Sequence, residues 1–124
     1  MRVSLIYPDD PSIFELLGKL SKFYSTEGIV MPPLGLCYIA SILEKDGHQI
    51  QMIDANAKNL SNEETLKRLL KFKPEVIGLS LLPQNFKNSL NQIKKIKNVL
   101  PKTKIIVGGL HVKIFPELTL LNPE

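Results

Sequence analysis

Short, largely apolar runs alternate along the chain with longer stretches in which apolar residues recur every three or four positions. Arg2-Val-Ser-Leu-Ile-Tyr7 is a run of the first kind, stopped by Pro8, and reads as a central strand. His48 to Asp54 begins by alternating polar and apolar residues, as an outer strand with a more exposed face does. Glu75 to Leu81 is almost continuously apolar, which predicts burial on both faces, and Thr103 to Gly109 supplies a fourth strand. Between the first two strands, Pro32 and Pro33 fix φ where a helix can begin. Leu34, Leu36, Cys37, Ile39, Ala40, Ile42 and Leu43 then cover nearly every face of the turns, so this helix is expected to be buried, Cys37 with it. Lys45-Asp46-Gly47 closes it with a glycine suited to a left-handed cap. Ser61-Asn-Glu-Glu64 is a capping box that opens a second helix with Leu66, Leu69, Leu70 and Phe72 on its apolar side, ended by Pro74. Phe86, Leu90, Ile93, Ile96 and Leu100 mark a third helix, ended by Pro101. Phe115 to Leu121 predicts the start of one more. The long stretch from Pro8 to Met31 carries Ile13, Phe14, Leu17, Leu20, Phe23 and Tyr24 at near-helical spacing, which predicts a short helix or a folded flap.

Strands alternating with helices define an α/β protein with a doubly wound parallel sheet in the order 2-1-3-4, a Rossmann-like or flavodoxin-like three-layer fold. Right-handed crossovers place the helix N-termini at the carboxyl edge of that sheet, where ligands bind. Three loops reach this edge: residues 8–33, 82–85 and 108–111. A fifth strand is expected of such a sheet and is missing from the pattern. The fourth strand is therefore expected to be an open edge that needs a cover or a partner, such as a second copy of the chain.

With 124 residues and 44% hydrophobic content, residues 1–124 form a single domain with one core. A single cysteine excludes an intrachain disulfide and a Cys-rich metal site, and points to a reducing, cytoplasmic setting. No apolar run reaches the roughly 18 residues that a membrane span requires, and the strand-like N-terminus does not resemble a signal peptide. The net charge of +4 is uneven: residues 1–62 carry five Lys/Arg against seven Asp/Glu, and residues 63–124 carry eleven against five. Lys87, Lys94, Lys95 and Lys97 form part of that excess, but the second half has one Arg and, as aromatics, Phe72, Phe86 and Phe115. A solvated helix face explains this better than a nucleic-acid surface, which draws on Arg forks and exposed aromatics.

At the carboxyl edge, Ser80 ends one strand and Gly108-Gly109 ends the next, followed by His111. Each has an ordinary reading: a serine bonding backbone, a tight turn, a structural histidine. Asp54 is better read as a loop or cap residue than as a ribose ligand, because no Gly-x-Gly-x-x-Gly follows the first strand. The set as a whole carries more. Pro32-Pro33-Leu34-Gly35-Leu36-x-Tyr38-Ile39-Ala40-x-x-Leu43-Glu44, then Gly47-His48 and a strand ending in Asp54, then Lys73-Pro74-x-Val76-Ile77-Gly78-x-Ser80, then Ile106-Val107-Gly108-Gly109-x-His111 resembles the N-terminal cobalamin-binding domain of cobalamin-dependent radical SAM enzymes.

The resemblance covers Arg2 to about Glu117 and implies a function. Ser80-Leu81-Leu82 and Gly108-Gly109 match the segments that line the slot for the cofactor's nucleotide tail in such domains, with Pro33, Leu34 and Gly35 as further contacts. Methionine synthase-type domains carry Asp-x-His-x-x-Gly before the first helix, the His being the lower cobalt ligand. Setting that Gly on Gly35 puts Val30 at the Asp position and Pro32 at the His position, so no protein ligand to the metal is expected. This implies cobalamin bound base-off, with His111 donating to a corrin amide or to phosphate. The resemblance further implies that residues 1–124 are the N-terminal, non-catalytic part of a radical SAM methyltransferase or cyclase-type enzyme. The catalytic domain, acting in cis or in trans, would bind S-adenosylmethionine and a four-iron four-sulfur cluster, which one cysteine cannot hold. Two other readings remain open. Asp9-Asp10 after the first strand suits a receiver-like signalling domain, although Ser80 and Leu81 stand where the phosphoacceptor Asp belongs. A structural or interaction domain without a ligand is the other.

Overall fold

A computed structural model describes residues 1–9 and 32–121, so the segment predicted as a helix or flap lies outside the described residues. Four strands form one parallel sheet: β1 (Arg2–Tyr7), β2 (Gln49–Asp54), β3 (Val76–Ser80) and β4 (Lys104–Gly108), in the order β2-β1-β3-β4. The α/β class, the parallel sheet and the strand order are those expected from the sequence. The register sets Leu5 opposite Met52 on one side and Gly78 on the other, and Gly78 opposite Ile106. These four residues therefore share one face of the sheet.

On the opposite face lies the larger apolar cluster. Ile6, Ile53, Ile77 and Leu79 meet Leu69 of α2 (Asn62–Phe72) and Ile93 and Ile96 of α3 (Phe86–Val99). This is where the continuous apolar strands and the one-sided helices of the sequence meet.

The capping box that opens α2 forms as expected. Ser61 Oγ accepts from the Glu64 N–H at 3.2 Å, and the Ser61 N–H donates to Glu64 Oε2 at 2.8 Å. The hydrogen bond from the Ser61 N–H first, and the Ser61 side chain second, hold the Glu64 carboxyl below its ordinary range. Since folding lowers this pKa, the contribution is present at neutral pH, above the unfolded value, and is lost as pH falls through the folded value. Ser61→Ala is expected to cost about 1 kcal/mol in urea unfolding at neutral pH; an unchanged midpoint would contradict the cap.

The first helix corrects the sequence reading. In α1 (Leu34–Lys45) Ala40 alone is buried, Cys37 is exposed, and Tyr38 is 73% exposed. The reason is positional. Leu36, Ala40 and Leu43 pack on Val3, Leu5, Ile50 and Met52, so α1 covers β1 and β2. Beside it, over β3 and β4, no helix lies among the described residues, and Ile106 stands 61% exposed.

After β4 the chain makes two short helices, α4 (Leu110–Ile114) and α5 (Pro116–Leu120). The second begins within the predicted stretch, and the first was not foreseen. Among the described residues no strand pairs with the outer side of β4, and no helix is long and apolar enough to cross a membrane.

Candidate functional site

The carboxyl ends of β3 and β4 are held together by backbone. The Leu81 N–H donates to Gly108 O at 2.7 Å, and the His111 N–H donates to Leu81 O at 3.1 Å. Between these bonds the chain turns at Gly109, with φ 98° and ψ −175°, a conformation essentially confined to glycine. A Cβ at this position would stand 2.6 Å from Leu81 O and 3.1 Å from Ser80 Oγ. Gly109 is therefore needed for the turn itself. Gly108 differs, because a Cβ built there would meet nothing within 4 Å among the described residues.

That space is a groove of about 590 Å³ on the face that α1 only half covers. One wall is α1, with Pro33, Leu34, Gly35 and Ile39; the floor is Val3, Leu5, Val76, Gly78 and Ile106. Ser80, Tyr7, Gly108 and Gly109 stand at the carboxyl end. Among the described residues no acidic or basic side chain lines the groove. Ser80 Oγ has no hydrogen-bond partner among the described residues, so it is available to an incoming ligand. Among the described residues no cluster of three or more His, Cys, Asp or Glu is placed to hold a metal ion.

The structure brings six of the residues singled out in the sequence to this groove: Pro33, Leu34, Gly35, Ser80, Gly108 and Gly109. Three lie elsewhere. Leu81 is fully buried in the core on the other face, and Leu82 holds the loop through its N–H on Asn85 Oδ1 at 2.8 Å. His111 is 6% exposed, its ring stacked on Phe86 at 3.8 Å between centroids and tilted against Phe115 at 5.3 Å. Both ring nitrogens lack a hydrogen-bond partner among the described residues. Asp54 does what its bland reading expects: its Oδ1 accepts from the Ala57 N–H at 2.9 Å, closing the turn after β2. Sequence reasoning missed Gly78 on the floor. The available signal was a glycine inside a strand that is otherwise apolar and branched, which marks close approach by a ligand or another backbone.

A doubly wound sheet with an open apolar slot at the carboxyl edge, beside the N-terminus of its first helix, defines a domain that binds a cofactor or nucleotide. The family model described as B12 binding domain matches residues 25–124, and the chain belongs to that family. Two curated relatives are similar to it. An uncharacterized methyltransferase of Pyrococcus horikoshii is 29% identical over 120 residues, covering 97% of this chain and 24% of the relative. Cytidylyl-2-hydroxyethylphosphonate methyltransferase of Streptomyces wedmorensis is 29% identical over 110 residues, covering 74% of this chain and 21% of the relative. The chain thus spans less than a quarter of the length of these relatives. No solved structure matches it at a significant level.

The residues present are compatible with a cofactor of that family: the described lining is apolar, Ser80 and Tyr7 bring hydroxyls to its carboxyl end, and at Gly108 a side chain would intrude.

Proposed function

We propose that this domain binds cobalamin base-off and serves as the cofactor module of a radical SAM methyltransferase or cyclase-type enzyme. The observation that carries the reading is the convergence of Ser80, Gly108, Gly109, Pro33, Leu34 and Gly35 on one apolar groove. In this reading Ser80 Oγ donates to the phosphate or ribose of the tail, and Gly108 keeps the mouth open. Pro33, Leu34 and Gly35 wall the entry from the α1 side. Leu81, Leu82 and His111 act from beneath: the Leu81 carbonyl and the His111 N–H fix the two strand ends, and the ring of His111, packed on Phe86, anchors α4.

Pro32, exposed before α1, has no side-chain nitrogen to offer a metal. A lower face without a protein donor favours the low-valent cobalt states of methyl carriers, and bound cobalamin would supply that methyl-carrying chemistry. The printed names of both relatives support methyl transfer as the parent activity. S-adenosylmethionine and an iron–sulfur cluster belong to a catalytic partner domain in this scheme, since the single cysteine here cannot hold a cluster.

The direct test is to mix the protein with hydroxocobalamin, desalt it and record the visible spectrum. Retained pigment with a base-off spectrum is the expected result. Colourless protein would remove cobalamin binding, and retained pigment with a base-on spectrum would remove the proposed mode.

A further inference from the structure

Part of the positive charge gathers at the amino edge of the sheet, the end remote from Ser80 and Gly108. A second concavity of about 420 Å³ lies there, lined by Arg2 at the start of β1, Lys73 and Glu75 before β3, and Lys102, Thr103 and Lys104 at the start of β4. Among the described residues, four cations thus share this pocket with one carboxylate. Its frame does not depend on those charges. Thr103, 5% exposed, donates from Oγ1 to Pro74 O at 2.8 Å and so holds the turn carrying Lys102 against the turn carrying Lys73. Arg2 Nε donates to Lys73 O at 2.9 Å, which orients the guanidinium.

Lysines near helix C-termini ordinarily offset the negative end of the helix dipole. Lys97 is tied down just past α3 in that manner, its Nζ donating to Thr103 O at 3.1 Å. The ammonium groups of Lys73, Lys102 and Lys104 make no hydrogen bond or ion pair among the described residues. Lys73 moreover sits at φ 53° and ψ 61°, the left-handed conformation that suits a glycine at a helix end. A lysine there carries a backbone penalty that glycine avoids.

The available donors decide what the pocket takes. A phosphate site draws on free backbone N–H groups. Here they are engaged: Arg2 N–H on Glu75 Oε2 at 2.8 Å, Lys73 N–H on Leu69 O at 2.7 Å, and Lys104 N–H on Glu75 O at 3.0 Å. A single-stranded nucleic acid is gripped through aromatic side chains, and none lines the pocket among the described residues. What remains is one guanidinium fork and three flexible ammonium groups, a set that matches carboxylates spaced along a peptide. We propose that this pocket docks an acidic segment of a partner protein, with neighbouring Asp or Glu side chains entering between Arg2, Lys73, Lys102 and Lys104. Such docking does not depend on which cofactor the groove holds.

The probe is a fluorescein-labelled hexaglutamate peptide, titrated with the protein at low ionic strength and followed by fluorescence anisotropy. Saturable binding that disappears at high salt is expected. The variant Lys73→Gln, Lys102→Gln, Lys104→Gln is expected to bind at least about tenfold more weakly. A control variant, Lys58→Gln, Lys87→Gln, Lys113→Gln, removes the same charge from exposed positions outside the pocket and is expected to stay within about twofold of wild type. Lys73→Gly is expected to weaken the peptide while raising the melting temperature by about 3 °C, because glycine relieves the left-handed backbone. A lysine that served only the helix end would lose stability on this change and leave the peptide unaffected, which would overturn the proposal. Absence of binding, or equal weakening by the two triple variants, would overturn it too. So would tighter binding of a single-stranded RNA of equal charge, or displacement of the peptide by equimolar inorganic pyrophosphate. Both triple variants are expected to retain cobalamin as the wild type does, so a colourless protein would remove the cobalamin reading and leave the peptide result standing.

Discussion

Gly108→Val eliminates cobalamin retention through desalting while leaving the protein folded. The residue ends β4 outside the left-handed region, so a β-branched side chain meets no backbone penalty there. A Cβ at 108 touches nothing among the described residues, so added methyl groups would occupy the groove mouth between Ser80 and the α1 wall. Overfilling a site of this kind costs about 1–3 kcal/mol, up to about a hundredfold in affinity. The expected observation is a thermal midpoint within a few degrees of wild type together with a colourless protein. Equal pigment per mole of protein in variant and wild type would show that the ligand does not pass Gly108.

The neighbouring glycine gives the opposite result. Gly109→Ala lowers stability, because φ 98° with ψ −175° is unfavourable for any residue with a Cβ, and that Cβ would press on the Leu81 carbonyl at 2.6 Å. The backbone penalty alone is about 1–3 kcal/mol. For a chain of this size, the combined effect is a fall in the melting temperature of roughly 10 °C. Cofactor retention then declines because the strand ends separate, not because a slot is filled. A melting temperature within about 2 °C of wild type would show that the turn relaxes and that Gly109 is dispensable.

These two glycines mark how far the sequence could be read. Their adjacency and their place after a strand were visible, but which one turns the chain and which one leaves room depends on the end of β3, twenty-eight residues away in sequence. The four strands and their order were legible because each has a distinct apolar run and the connecting segments carry helical periodicity, as at Ser61–Glu64 and Phe86–Leu100. Gly78 was not legible as a site residue until the register placed it between Leu5 and Ile106. The exposure of Tyr38 and Ile42 was not legible at all, since an apolar side chain reports what it prefers and not what happens to lie beside it. His111 followed the glycine pair closely enough to suggest the ligand side, yet the five-residue helix α4 turns its ring towards Phe86. A helix that short has no periodicity to read.

The outer side of β4 has a consequence for handling the protein. On that side Lys104-Ile-Ile-Val-Gly108 pairs with no strand among the described residues, and the one charge of this short branched segment sits at its start. Next to it lies the greasy flank of Ile106, Ile39 and Leu34. Concentrated solutions should therefore be kept at low ionic strength, where mutual repulsion from the +4 charge keeps molecules apart, and away from sulfate, which strengthens contact between such surfaces.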